Sequence, residues 1–378
     1  MNIGIVCYPT FGGSGVVATE LGLGLARKGH SVHFITYSRP ARLSSFQENV
    51  YFHEVTAMDY PVFDFTPYES ALASKLVDVA TYEKLDLLHV HYAVPHASVA
   101  FLARAILEKK GINLPVITTL HGTDITLVGN DRSFKSVVEF GINQSDGVTA
   151  VSKYLRDETY STFEIEKEIE VIYNFIDFDR FKREDKTHFR NLLAPNGEHI
   201  LMHTSNFRKV KRVKDTLDIL LKVREHHPAI LLLVGDGPDR PQLEEKARAE
   251  GLNQCVRFLG KQEAIEELLS ISDVFLLPSA NESFGLAALE AMACEVPVVS
   301  SNVGGLPEVN LEGETGYLCE VGDVTAMAKA TCSILETSDR LNAFRARALQ
   351  QAKSFSLHTI LNQYEAMYKD VSGSFSTE

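Results

Sequence analysis

No stretch of this sequence approaches the ~20 consecutive apolar residues that a bilayer-spanning helix requires, so no membrane span is expected. Residues 1–6 have no basic segment leading into a long apolar one, and no secretory signal is expected. Positive charge is in deficit: 37 Lys and Arg stand against 50 Asp and Glu, a formal net charge of −13. That argues against nucleic acid as the main partner, because phosphate backbones are held by clustered cations. Stable association with an anionic membrane surface is disfavoured for the same reason. A small anionic ligand in one local basic pocket remains compatible. Cysteine is sparse as well. Cys7, Cys255, Cys294, Cys319 and Cys332 are odd in number, widely spaced and form no C-x-x-C pair. They read as small hydrophobic residues in a reducing, cytoplasmic compartment. Tandem repeats and low-complexity tracts are absent too.

What is present is a chain of 378 residues, 45% apolar and 23% charged. That exceeds the usual size of one hydrophobic core and predicts two α/β domains. Residues 3–7, 31–36, 87–91, 116–120 and 147–152 read as strands, and 15–28, 70–82, 96–109 and 134–144 as helices. The pattern restarts with strands at 200–205, 229–234, 255–259, 274–278 and 297–300. Its helices are 213–226, 240–250, 263–270, 284–293 and 324–335. Continuous apolar strands with intervening helices imply parallel sheets covered on both faces. The predicted domains are 1–170 and 171–355, hinged at 171–177, and a last helix near 356–370 can pack on either one.

Three segments have the composition of anion sites. Gly12-Gly13-Ser14-Gly15 precedes a helix, where glycines let backbone N–H groups approach a ligand and the helix N-terminus favours negative charge. Gly13, Gly15 and Ala18 also fit the G-x-G-x-x-A of dinucleotide enzymes. Against that reading, the loop from Tyr8 is long, and the next strand ends Thr36-Tyr37-Ser38-Arg39 without the ribose-binding acid. A structural loop is the third alternative. The second segment, Asn206-Phe207-Arg208-Lys209-Val210-Lys211-Arg212, places four cations in five residues after a strand. There α/β sheets form their binding crevice, and the alternative is a solvated basic turn. The third, Asn281-Glu282-Ser283-Phe284-Gly285-Leu286-Ala287-Ala288-Leu289-Glu290, reads as a helix N-capped by Ser283. Its first amides, from Ser283 to Leu286, would converge on an anion. Glu282 would grip sugar hydroxyls and Glu290 ribose hydroxyls, unless the two acids only complement the dipole and meet solvent.

Glu282 and Glu290, with seven residues between them, resemble the E-x7-E signature of the family 4 retaining glycosyltransferases. The glycine loop, His121-Gly122-Thr123-Asp124, Tyr173-Asn174-Phe175-Ile176-Asp177, Gly235-Asp236-Gly237-Pro238 and the run from Ser301 to Glu308 resemble further family motifs, in the family's order. The resemblance spans nearly the whole chain. It implies the GT-B fold: two Rossmann-like domains whose parallel sheets face each other across a cleft that holds the donor's diphosphate. By resemblance, Gly13 faces the diphosphate and Lys211 binds phosphate. Glu282 with Ser283, Phe284, Gly285 and Leu286 holds sugar and phosphate, Glu290 takes the ribose, and Phe258 to Lys261 read the base. His121 lines the donor-sugar pocket. Many relatives carry Arg where this chain has Asn206, and Arg208 is expected to supply that charge.

Cys7–Val17 and Ser205–Arg208 look most like the branch that moves N-acetylglucosamine from UDP-N-acetylglucosamine to L-malate, at the start of bacillithiol biosynthesis. The acceptor-side candidates are Ser14, Tyr92, Thr119, Arg132 and Lys135. The expected catalytic set is Glu282, Lys211, Arg208 and His121, acting through charge rather than a protein nucleophile. No cofactor and no metal are expected, the partners are small molecules, and a homodimer is left open. Other readings are a GT-B transferase with another acceptor, a sugar-nucleotide epimerase and a non-catalytic binder. Asp177-Phe178-Asp179 mimics a metal-binding D-x-D but sits in the hinge. His89-Val90-His91 suggests a metal hydrolase, yet lacks a clear ligand set and reads as structural or cleft-lining.

Overall fold

A computed structural model describes residues 1–10, 12–43, 46–57, 66–127 and 131–373. Phe11 of the glycine loop lies outside the described residues. The chain forms two compact units: Met1–Asn174 joined by the segment from Leu357 onward, and Phe175–Ser356.

The first unit runs β1 (Asn2–Val6), α1 (Ser14–Arg27), β2 (Ser31–Thr36), β3 (Val50–Glu54), α2 (Tyr68–Tyr82), β4 (Leu87–His91), α3 (Ser98–Glu108), β5 (Val116–Leu120), α4 (Arg132–Asn143), β6 (Gly147–Ala150), α5 (Lys153–Thr162) and β7 (Ile169–Val171). The seven strands are ordered β3-β2-β1-β4-β5-β6-β7, all parallel. Every residue of β4 and β5 is buried, as expected of strands covered on both faces.

The second unit runs α6 (Thr187–Leu193), β8 (His199–Asn206), α7 (Val213–Val223), β9 (Ala229–Asp236), α8 (Arg240–Ala249), β10 (Val256–Gly260), α9 (Ile265–Ile271), β11 (Val274–Leu277), α10 (Leu286–Ala293), β12 (Val298–Ser301), α11 (Leu306–Val309), β13 (Gly316–Cys319), α12 (Val324–Leu335) and α13 (Ser338–Ala352). Its six parallel strands are ordered β10-β9-β8-β11-β12-β13. The last helix, α14 (Leu357–Gly373), belongs to the first unit. Its stripe of Leu357, Ile360, Leu361, Tyr364 and Tyr368 is buried, and Leu361 lies against Gly24 of α1.

In both sheets the strand order reverses once, beside β1 and β4 in the first unit and beside β8 and β11 in the second. Loops leaving adjacent strands on opposite sides of such a reversal diverge and open a crevice at the carboxyl ends. The glycine loop leaves β1 and Tyr92 follows β4. The cationic loop leaves β8, and the segment carrying Glu282 follows β11.

Three local differences from the sequence reading have physical causes. Strand β6 ends at Ala150 rather than running to residue 152, because the Ser152 hydroxyl accepts from Leu155 N at 3.0 Å and caps α5. Helix α10 starts at Leu286, with Gly285 at φ 101° as its N-cap, so Ser283 lies ahead of the helix and does not cap it. The strands β3, β7 and β13 were not anticipated: each lies at a sheet edge and is only partly buried, so the pattern of a strand covered on both faces is weak there.

Candidate functional site

In the second unit, the crevice between β8 and β11 is closed by one ion pair. Lys211 Nζ donates to Glu282 Oε1 at 2.6 Å, and Ser279 Oγ donates to the same oxygen at 2.9 Å. Both charged side chains are only partly exposed, 22% and 14%. The two loops also join through backbone, Ala280 N donating to Val210 O at 2.7 Å. Beneath them His203 Nδ1 donates to the Leu276 carbonyl, which leaves Nε2 to accept from Ser205 Oγ, each at 2.8 Å. Burial pushes His203 down to about 4, so the ring is neutral below the lysine.

The segment carrying Glu282 is shaped by Gly304. That residue has φ 58°, and a Cβ there would lie 1.9 Å from Glu282 O. Gly305 N donates to the same carbonyl at 2.9 Å. The Ser301–Glu308 run therefore sets the backbone that carries Glu282, a role its sequence alone does not reveal.

The remaining donor candidates divide. Asn206 ends β8 and Arg208 lies on the loop that holds Lys211, both exposed. Arg212, counted among the four cations, turns away and donates Nε to Asp215 Oδ2 at 2.7 Å. Phe284 is 2% exposed, its ring set edge-on to Phe355 at 5.6 Å, so only its backbone can face a ligand. Leu286 opens α10, where first-turn amides have no acceptor within the helix. Glu290 is mostly buried in α10. Phe258 packs on the core, while Lys261 is exposed just past β10.

In the first unit, the glycine loop is fixed by close approach. A Cβ on Gly15 would stand 2.4 Å from Tyr8 O. Gly13, exposed with φ 59°, precedes α1, whose first residue Ser14 donates Oγ to Tyr92 Oη at 2.9 Å. Tyr92 itself has φ 87°, a strained conformation for a bulky residue. It is held there by Tyr92 N donating to Thr119 O at 2.9 Å and by ring contacts with Tyr8 and His121 at 5.4 and 5.3 Å.

His121 is the end of a histidine stack. The rings of His89, His91 and His121 follow one another at 4.4 and 5.1 Å, and His91 Nδ1 meets His121 Nε2 at 2.8 Å. Among the described residues His91 Nε2 is buried without a partner. A proton there would be an unsatisfied donor, so the lower-cost tautomer carries it on Nδ1 and donates to His121 Nε2. Burial and the neighbouring His96 push His121 down to about 3, so this ring is neutral and keeps its own proton on Nδ1. His121 is thus set as a hydrogen-bond donor rather than a base. Its backbone is fixed by buried Asp124, which accepts from the amides of His121, Gly122 and Ala93 at 3.3, 2.9 and 3.0 Å.

Thr119 differs from the sequence expectation. It is fully buried and engaged with His89, Thr149 and Tyr364, so it supports the stack instead of facing an acceptor. His89 completes that network through Tyr368 of α14 at 2.7 Å. Arg132 and Lys135 are exposed on the first turn of α4, and Lys135 pairs with Glu139 at 3.7 Å. His89-Val90-His91 is accordingly structural and second to His121. Asp177 organises the turn at the start of the second unit, where its side chain accepts from Asp179 N at 3.0 Å.

Comparison with known proteins bears on both units. The family model "Glycosyltransferase Family 4" matches residues 11–180, and "Glycosyl transferases group 1" matches residues 184–351. The chain is 48% identical to the N-acetyl-alpha-D-glucosaminyl L-malate synthase of Bacillus anthracis, over 98% of this chain and 97% of the relative. It is 29% identical to the D-inositol 3-phosphate glycosyltransferase of Corynebacterium urealyticum, over 76% and 72%. Among solved structures, the sucrose-phosphate synthase of Thermosynechococcus elongatus superposes with a TM-score of 0.84 at 20% identity, covering 99% of this chain and 100% of that one. Anabaena HepE in complex with UDP and glucose gives 0.82 at 22% identity, covering 97% and 99%. These likenesses establish the two-domain GT-B architecture. No helix among the described residues is long and apolar enough to cross a membrane.

Proposed function

The chain belongs to the family 4 glycosyltransferases, and on that premise we propose that it moves N-acetylglucosamine from UDP-N-acetylglucosamine to the hydroxyl of L-malate with retention of configuration. The observation that carries the choice of substrates is the 48% identity, end to end, with the Bacillus anthracis malate synthase. In this reading the second unit binds the donor. Glycosyl transfer leaves negative charge on the departing diphosphate, and Lys211, Arg208 and the amides entering α10 answer it without a metal. Glu282 holds the sugar through its free lone pairs, and Glu290 holds the ribose. The first unit presents Gly13, Ser14 and Tyr92, with the His121 Nδ1–H as a fixed donor to a substrate hydroxyl. Arg132 and Lys135 supply charge for a dianionic acceptor. The reaction takes place in the cytoplasm.

Mass spectrometry tests this directly. UDP-N-acetylglucosamine is incubated with the enzyme and a panel of malate, inositol phosphate and other hydroxy acids. N-acetylglucosaminyl malate is the expected product. A product only with another acceptor would overturn the malate assignment, and isomerised donor without acceptor would replace transfer by epimerisation.

A further inference from the structure

The outer edge of the first sheet carries a cluster that glycosyl transfer does not use. His33 of β2 and His53 of β3 meet nitrogen to nitrogen, Nδ1 to Nε2, at 3.0 Å, with stacked rings 5.2 Å apart. The parallel register pairs Ile35 with His53 and His33 with Tyr51, so the two histidines are diagonal neighbours on one face of the sheet. Tyr51 stacks on His33 at 4.7 Å and steadies that ring. Glu83, at the C-terminal cap of α2, brings a carboxylate, and one ligand atom from each of the three residues falls within 4.8 Å of the others. His33 is buried, His53 partly buried and Glu83 exposed, which leaves one side open to solvent.

We propose that His33, His53 and Glu83 bind a divalent cation of the zinc class, tying the edge strand β3 to β2 and to the end of α2. Two imidazoles and one carboxylate, with water completing the tetrahedron, form a donor set suited to zinc. Magnesium and calcium demand oxygen ligands instead. At zinc–nitrogen bonds of ~2.0–2.1 Å, tetrahedral nitrogens stand about 3.4 Å apart, so the pair has only to open by a few tenths of an ångström. The cation displaces the hydrogen bond between the rings. The ring that donated it shifts its proton to its other nitrogen, and both lone pairs then face the metal. Burial and His53 push His33 down to about 4, and burial pushes His53 down, so both rings are neutral and free to ligate at physiological pH. Glu83 supplies the compensating negative charge, against the opposing ammonium of Lys75 beside His53.

The test is a zinc titration of the tag-free, chelator-stripped full chain by calorimetry, with cobalt absorption and thermal melting in parallel. The expected result is one zinc at micromolar affinity, visible tetrahedral cobalt bands, and a melting temperature raised by about 3 °C or more. Magnesium should give no heat. Glu83→Gln, an exposed change that leaves the fold intact, and His53→Ala should each weaken zinc by about tenfold or more. Absence of zinc uptake by the wild-type chain would overturn the site. So would unchanged affinity in both variants, since the metal would then be sitting on other histidines.

Discussion

Lys211 and Glu282, 71 positions apart in the chain, share a 2.6 Å charge-assisted hydrogen bond where the loops after β8 and β11 meet. Ser279 orients the same carboxylate, and in the proposed reaction the pair holds a cation ready for the leaving phosphate. Lys211→Ala should therefore lower kcat by at least about a hundredfold, as expected when preorganised positive charge is lost from a transition state. UDP affinity should fall about tenfold or more, from loss of a charged hydrogen bond worth ~1.5–3 kcal/mol. Folding stability should change by less than about 2 kcal/mol, because the pair is only partly buried. Steady-state kinetics, UDP calorimetry and chemical denaturation check the three parts. Wild-type rates would remove Lys211 from the mechanism.

The His91–His121 bond separates a tautomer role from simple packing. Asn at position 91 can place an amide N–H near the present Nδ1, whereas Leu cannot donate. His91→Asn should retain markedly more activity than His91→Leu, with a difference of about tenfold or more for one lost hydrogen bond behind the proposed substrate donor, His121. Equal activities in two well-folded variants, judged by circular dichroism, would mean that the ring only fills space.

At Gly304 the added methyl group would strike the Glu282 carbonyl, and the left-handed backbone penalises any L side chain by ~1–2 kcal/mol. Gly304→Ala should destabilise the second unit by about 2–4 kcal/mol. It should also raise the donor KM, since Glu282 moves with the segment. Denaturation together with donor saturation curves tests this, and an unchanged KM would disconnect the loop from the site.

Acid stability follows from the buried histidines. Burial holds His89 and His121 near about 3, and His96 and His203 near about 4, while His91 is pushed well below its ordinary value. The unfolded chain takes up these protons near pH 6.5 and the folded chain refuses them. Stability is therefore fully present above about pH 6.5 and falls as pH drops toward 4, by about 1.4 kcal/mol per pH unit for each excluded proton. Asp273 adds a lower window. Burial alone would raise its carboxyl, but His199 and Arg190 hold it well below the usual carboxylate range, so its contribution is lost only below about pH 4. Denaturation midpoints across pH 4–7 should decline steeply, and a flat profile would contradict neutral buried rings.

Chelation should distinguish chemistry from the edge cluster. Transfer should continue in excess EDTA, because in the proposed mechanism the charge that answers the diphosphate belongs to side chains and amides. Loss of turnover reproduced by several unrelated chelators, and restored by metal, would count against a metal-free site.

Sequence alone determined the alternation of buried parallel strands and helices, because strands covered on both faces are rich in apolar and β-branched residues, and β2, β4, β5 and α12 fall at the expected residues. It also offered Lys211, Glu282 and the glycine loop as candidates, since anion binding restricts residue type within a few consecutive positions, and His121 by resemblance alone. Tertiary structure alone decided what depends on distant partners. The return of α14 to the first unit, the binding of Lys211 to Glu282, the burial of Thr119 and the shaping of the Glu282 segment by Gly304 all join residues remote in sequence. Local patterns cannot register such contacts, because their energy comes from packing and hydrogen bonding that exist only once the strands are in order.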